Sequence, residues 1–181
     1  MRILDLTTAG GKIEQEFHLQ SLTWVEQANE PVVALARCYP AGLAVPRHSH
    51  SRTQLWFARR GLVLVSTGDR RWMIPPGHAL IIPAATEHSA EMVSAVEMQS
   101  VYVDLPGEQA GQPRVVEVTP LTQTLIGELV AVEVRPMTER RLSLVSELLL
   151  DEFPHLPVRP LGLPFPTNRK LAKLCQEFLK A

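Results

Sequence analysis

The sequence predicts an antiparallel β-barrel or sandwich that is followed by an antiparallel pair of helices. Short strand-like runs, each bounded by Gly or Pro, fill residues 1 to about 118, with no helical pattern between them. Closely spaced short strands of this kind are typical of all-β barrels and sandwiches. Beyond this point the apolar residues recur three and four positions apart, as on one face of a helix. We therefore expect a mainly β fold with a C-terminal helical hairpin.

The expected strands follow one another with turn residues between them. They cover residues 32–39, 54–59, 62–67, 70–74, 79–82 and 94–105, and residues 114–118 form one further candidate. The pair Gly68-Asp69 separates two of these runs. Two residues of this type are typical of the tight turn in a β-hairpin.

Two helices are expected after the strands, and each has its own N-cap. Thr119 precedes Pro120, and Thr138 precedes the second apolar stripe; a Thr cap with Pro at the first helical position is typical of a helix start. The stripes predict helices over 120–134 and 139–152, and they comprise Leu121, Leu125, Leu129 and Val132, then Leu142, Val145, Leu148 and Leu149. Because few residues join the helices, we expect a hairpin. Its leucine content predicts that one part faces a second subunit.

The C-terminal part is expected to be a linker and the start of a further unit. Residues 155–167 contain four prolines, whose spacing excludes a helix or a central strand and predicts a semi-rigid extended linker. Thr167 or Asn168 then caps a third helix, with Leu171, Leu174, Cys175, Phe178 and Leu179 as its apolar face. The predicted domains are a barrel at 1–118, a helical hairpin at 119–153, and a linker with the first helix of a missing domain at 154–181.

The composition excludes several classes of protein. Eighteen Lys and Arg against 19 Asp and Glu give a net charge of -1, which provides no overall attraction to nucleic acid or an anionic membrane. The N-terminus lacks the apolar stretch of a signal peptide, and no apolar run approaches the roughly 20 residues of a membrane helix. Cys38 and Cys175 match no metal or disulfide spacing. We expect a soluble cytoplasmic protein with free thiols.

Three histidines and one glutamine predict a polar site inside the barrel. His48 and His50 lie two residues apart, so on a strand both imidazoles project from one face. With Gln54 and His88 they would supply the donors for one divalent transition metal, such as zinc or nickel. Trp56 shares the strand face of Gln54 and is expected beside the histidines. Two alternatives stay open. The three histidines, with Gln54 and Trp56, line a pocket for an organic ligand, or the histidines form a hydrogen-bonded cluster in the core.

The spacing of these residues resembles the two motifs of the cupin family. The first motif reads Gly42, five residues, His48-Ser49-His50, three residues, Gln54, six residues and Gly61. The second reads Gly77, five residues, Pro83-Ala84-Ala85, two residues, His88, three residues and Met92. Gln54, Ala85 and Met92 replace the Glu, Gly and Asn of the family, and the neutral amide of Gln54 lowers the expected metal affinity. The resemblance implies a double-stranded β-helix, or jelly-roll, barrel.

A second resemblance covers the whole chain. It is carried by His48-Ser49-His50 with residues 54–58 and Gly61, by residues 72–79, by Ile82-Pro83-Ala84 with His88, by Tyr102-Val103-Asp104 and by residues 163–171. The protein looks like the N-terminal effector-binding and dimerisation portion of an AraC-type transcription regulator. This implies a homodimer through the helical hairpin. It also implies that DNA is contacted only through a C-terminal domain that lies beyond these 181 residues.

The same resemblance implies a ligand-sensing regulatory domain, with no catalytic residues, that binds a small effector and relays its presence to the DNA-binding domain. A small metal-dependent cupin enzyme of the dioxygenase or isomerase type is the alternative, and a stand-alone binding protein is a third hypothesis. The Pro-rich linker favours the regulator, because a stand-alone enzyme needs no tether. Specific DNA binding by these residues themselves is not expected, since a single helix follows the linker.

Overall fold

Two antiparallel sheets form the body of the molecule in the computed structural model, which describes residues 22–68, 70–104, 111–132 and 134–164, and residues 170, 171 and 174. The strands are β1 (Val32–Tyr39), β2 (Ala44–His48), β3 (Thr53–Arg60), β4 (Val63–Thr67), β5 (Arg70–Ile74), β6 (His78–Ile82), β7 (His88–Met92), β8 (Val96–Val103), β9 (Arg114–Glu117), β10 (Val158–Arg159) and β11 (Gly162–Pro164). The expected mainly β fold is confirmed.

The strand order explains how distant segments meet. One sheet has the order β1-β8-β3-β6-β9-β10, and the other has the order β11-β5-β4-β7-β2. The hairpin predicted at Gly68 is present, because Thr67 and Arg70 are register partners on β4 and β5. Gly68 has a φ of +52°, a backbone conformation that glycine adopts without steric cost.

The two faces of the six-stranded sheet bury different sets of side chains. Successive residues of a strand point to opposite faces, so Trp56 lies between the two sheets, whereas Leu55 and Phe57 lie on the outer face. The inner core joins residues of both sheets, and the outer core joins the sheet to the helices. The barrel interior is therefore separated from the helices by a single sheet.

The helices cover that outer face. They are α2 (Pro120–Val130) and α3 (Glu139–Glu152), and a 3-10 turn at Phe153–His155 follows α3. A further helix, α1 (residues 22–27), packs instead against Val33, Leu35 and Tyr102 on the other face of the same sheet. The predicted caps are confirmed: the hydroxyls of Thr119 and Thr138 accept hydrogen bonds from backbone N–H groups in the first turns of α2 and α3. Helix α2 ends at Val130 and is therefore shorter than its apolar pattern suggested. None of the described helices is long and apolar enough to cross a membrane.

Opposite ends of α2 and α3 are in contact. Thr122, in the first turn of α2, donates a hydrogen bond from Oγ1 to Oε2 of Glu152 at the end of α3, at 2.9 Å. Arg141, near the start of α3, lies 3.4 Å from the carboxylate of Glu128 near the end of α2. These two contacts show that the helices run in opposite directions.

The predicted linker is in part a pair of edge strands. Residues 158–164, which we call the strap, extend from one sheet to the other: β10 pairs with β9, and β11 pairs with β5. Proline excludes a central strand but is tolerated at a sheet edge. The proline pattern is therefore compatible with the predicted extended linker and with the edge strands that the structure shows. The predicted caps of the third helix, Thr167 and Asn168, lie outside the described residues.

Candidate functional site

Three imidazoles meet inside the barrel, as the sequence predicted. His48 ends β2 and is the register partner of His88, the first residue of β7, while His50 lies in the loop that leads to β3. Their ring centroids are 4.2 Å apart for His48 and His88, 5.1 Å for His50 and His88, and 6.2 Å for His48 and His50. His50 and His88 are buried. We call these three residues the histidine cluster.

Gln54 connects this cluster to the opposite wall. Its Oε1 atom lies 3.1 Å from Nε2 of His50, and its Nε2 atom donates to the hydroxyl of Tyr102 at 2.9 Å. The ring of Tyr102 stands edge-on to His50, with 5.2 Å between centroids. Burial raises the pKa of Tyr102, so its hydroxyl keeps its proton. Tyr102 was not among the predicted site residues, although it is a register partner of Gln54 in β8.

The backbone fixes the tautomer of each imidazole. The Nδ1 atoms of His48, His50 and His88 lie 2.9, 2.6 and 2.9 Å from the carbonyl oxygens of Pro46, Arg52 and Thr86, respectively. A carbonyl oxygen only accepts, so Nδ1 carries the proton, and Nε2 of a neutral ring is an acceptor. Burial lowers the pKa of His48 and of His50 below 6.5, which favours the neutral rings.

This tautomer determines what can lie between His50 and Gln54. Nε2 of a neutral His50 and Oε1 of Gln54 are both acceptors, so they cannot bond to each other directly. The contact is satisfied when the amide is turned so that its NH2 group faces His50 and its oxygen accepts from Tyr102. It is equally satisfied when a donor group or a cation of a ligand binds to both acceptor atoms at once.

The cluster as it stands does not fit a metal ion. Within the described residues, no group of three or more His, Cys, Asp or Glu side chains is arranged to hold one. Imidazoles that share a zinc-like ion at the usual bond length have centroids roughly 5 Å apart. The His50–His88 spacing matches this value, whereas His48 is too close to His88 and too far from His50. A metal would require the ring of His48 to move.

Two tryptophans form the apolar part of the site. Trp56 is buried, and its ring centroid lies 6.2 Å from that of His88, as predicted from the face it shares with Gln54. Trp72 is also buried and donates a hydrogen bond from Nε1 to the hydroxyl of Thr67 at 2.7 Å. The site therefore combines a polar cluster with flat aromatic surface, as small-molecule pockets commonly do.

The N-terminal helix α1 is anchored to the loop that carries His50. Glu26 accepts hydrogen bonds from the backbone N–H and the hydroxyl of Ser51. The guanidinium of the buried Arg52 donates to the carbonyl oxygens of Ala28 and Glu30. Nothing in the sequence pattern distinguished Arg52 from the neighbouring arginines, because its role depends on a segment more than 20 residues away.

One protein family and one curated relative match most of this chain. The family model of the AraC-like ligand binding domain matches residues 30–149. The HTH-type transcriptional regulator NimR of Escherichia coli (strain K12) is 27% identical over 173 residues, which cover 90% of this chain and 61% of that protein. The chain thus spans about three fifths of the length of this curated relative.

Solved structures that match part of the chain include a cupin superfamily protein from Desulfitobacterium hafniense DCB-2, with 15% identity and a TM-score of 0.36 over 45% of this chain and 85% of that one. The DMSP lyase DddQ from Ruegeria pomeroyi DSS-3 has 20% identity and a TM-score of 0.40, over 44% of this chain and 42% of that one.

Proposed function

The chain belongs to the family of AraC-like ligand-binding domains, and from this we propose that it is the effector-sensing part of a transcription regulator. In this proposal a small molecule binds at the histidine cluster, and its presence is relayed to a DNA-binding domain outside residues 1–181. The observation that carries the proposal is the group of three imidazoles inside the barrel, two of them buried, which lies beside an apolar core. Buried polar groups of this kind give a pocket its specificity.

The chemistry of the lining limits the effector. The Nε2 atoms of the three imidazoles are acceptors in the neutral state, so the effector should supply N–H or O–H donors. Trp56 offers a buried flat surface beside His88, which favours a compact, planar body. We therefore propose a small planar molecule with at least one hydrogen-bond donor.

A binding screen tests this function. A library of small planar compounds with N–H or O–H groups is screened by thermal shift on the wild-type protein and on the His88→Ala variant. The partly buried His78 provides the matched control, because it also contacts a backbone carbonyl but lies outside the cluster. Compounds that stabilise the wild type and His78→Ala, but not His88→Ala, support the proposal. Compounds that stabilise all three proteins equally would place the binding site elsewhere.

A homodimer through the helices is the second part of the proposal. Leu144 and Leu148 lie one turn apart on α3, and their side chains are 56% and 42% exposed. Leucines in this i, i+4 arrangement form an apolar strip on the helix surface, which a second copy of the protein can cover symmetrically. Leu149 lies on another face of α3 and is buried in the outer core.

We propose a regulator rather than an enzyme. A divalent metal at the histidine cluster is a separate proposal, which requires the ring of His48 to move. The acceptor tautomers of the three imidazoles support a divalent ion such as zinc or nickel, because metal-bound histidines hold their other N–H group in this way. The position of His48 and the neutral oxygen of Gln54 oppose it. The small cupin enzyme remains the alternative, and turnover of a compound found in the screen would favour it.

A further inference from the structure

The strap closes the barrel across both sheets. Its first half pairs with β9, where Arg159 donates from Nε to the carboxylate of Glu117 at 3.0 Å. Its second half pairs with β5, and the carbonyl oxygen of Leu161 accepts a hydrogen bond from the backbone N–H of Met73 at 3.1 Å. Leu161 also packs against the inner core. The strap is thus attached to both sheets at once.

Gly162 allows an unusually close contact between the strap and Trp72. The two residues are register partners, and a Cβ atom added at Gly162 would lie 2.3 Å from Cζ3 of the indole. Real Cβ atoms essentially never show such a contact, so any other residue would displace the ring or the strand. The indole therefore lies directly against the backbone of the strap.

The same indole is connected to the histidine cluster. Nε1 of Trp72 donates to the hydroxyl of Thr67. Thr67, in turn, is the register partner of His88 across β4 and β7, and both side chains are buried. A continuous series of contacts therefore leads from His88 through Thr67 and Trp72 to Gly162.

We propose that Trp72 couples the histidine cluster to the strap, so that occupancy of the site changes how firmly residues 158–164 are held on the barrel. This inference rests on the proposed function, since it names the route by which effector binding reaches the segment that follows the barrel. A ligand that displaces His88 also moves its register partner Thr67, and with it the hydrogen-bonded indole of Trp72. Because the indole fills the space against Gly162, its shift alters the pairing of the strap. Coupling of this kind is reciprocal, so a change in the strap must also change the histidine cluster.

The reciprocity can be tested without knowing the effector. Thr67→Val keeps the shape of the side chain but removes the acceptor for the indole, while Gly162→Ala forces the indole away from the strap. Gly127→Ala is the matched control, because a Cβ atom there meets nothing within 4 Å. Hydrogen exchange of the Met73 amide reports on the strap, and the imidazole NMR signals of His88 report on the cluster.

In Thr67→Val we expect the Met73 amide to exchange roughly three- to tenfold faster than in the wild type, as for the loss of one hydrogen bond. In Gly162→Ala we expect the imidazole signals of His88 to shift, and in Gly127→Ala we expect neither change. Wild-type exchange at Met73 in Thr67→Val, or unshifted His88 signals in a folded Gly162→Ala protein, would overturn the coupling. If Gly162→Ala does not fold, the exchange rate of the Met73 amide in Thr67→Val is by itself the test of the coupling. Compounds that stabilise His88→Ala as strongly as the wild type would contradict the proposed site and leave these two readouts unaffected.

Discussion

The Oε1 atom of Gln54 lies 3.1 Å from the Nε2 atom of His50 inside the barrel. Both atoms face the same small volume, and the tautomer of His50 makes its Nε2 an acceptor. The identity of residue 54 therefore decides whether this volume carries a formal negative charge.

Gln54→Glu should tighten the binding of added zinc by roughly tenfold or more, because a carboxylate adds an anionic donor of almost the same shape. Isothermal titration calorimetry on the metal-free protein measures this affinity. Gln123→Glu on the exposed face of α2 controls for the change in net charge. Equal zinc affinity in the two variants would contradict the metal proposal.

Leu144→Glu combined with Leu148→Glu should give a folded monomer, because both side chains are substantially exposed and like charges would then face each other across the two-fold contact. Light scattering measures the mass. Ser143→Glu, also exposed on α3, is the control. An unchanged dimer in the double variant would move the interface away from this helix face.

Leu149→Ala should instead lower the free energy of unfolding by about 2–5 kcal/mol, because Leu149 is fully buried in the outer core. Urea denaturation measures this loss. A loss below about 1 kcal/mol would mean that α3 is not packed into the outer core in solution.

Arg52→Ala should loosen α1, because its buried guanidinium donates to two backbone carbonyls of the segment that follows the helix. We expect the free energy of unfolding, measured by urea denaturation, to fall by roughly 2–4 kcal/mol, as for the loss of two charge-assisted hydrogen bonds. Arg47→Ala is a matched control on the other side of the His48–His50 pair. Its exposed ion pair with Glu87 should contribute less than about 1 kcal/mol. Equal losses in the two variants would refute the anchoring role of Arg52.

The carboxyl of Glu117 should titrate below its ordinary pKa of 4.5, because it accepts hydrogen bonds from the guanidinium of Arg159 on the strap. A lowered pKa means that this contact stabilises the fold above the ordinary pKa, and that the contribution is lost as the pH falls through the lowered value. NMR titration of the Glu117 carboxyl measures it. Arg159→Gln should return the pKa towards 4.5, and a pKa that does not respond would show that the pair is absent in solution.

Site residues could be predicted from the sequence where their spacing alone determines where their side chains lie. The period of two residues in β3 places Trp56 on the face of Gln54, as expected. His48 ends β2 and His50 lies in the loop that follows, so the expected strand with both imidazoles on one face is wrong, and it is the motif spacing that predicted their meeting with Gln54. Tyr102 and Arg52 could not be assigned a role in this way, because their roles depend on strand register and on contact with α1. The apolar pattern of α3 likewise gave no reason to separate Leu148 from Leu149, since an amphipathic stripe shows the mean direction of burial but not its width.

The attachment of the strap to both sheets has a consequence for synthesis of the protein. β5 and β9 gain partners on one side only when residues 158–164 have been made, so until then each presents a row of unpaired backbone groups. A nascent or proteolytically shortened polypeptide that ends before Val158 would therefore expose two edge strands, β5 and β9, that can pair with strands of other molecules. Such fragments should self-associate during expression, and chaperones that recognise exposed strands should retain them longer than a polypeptide that includes residues 158–164.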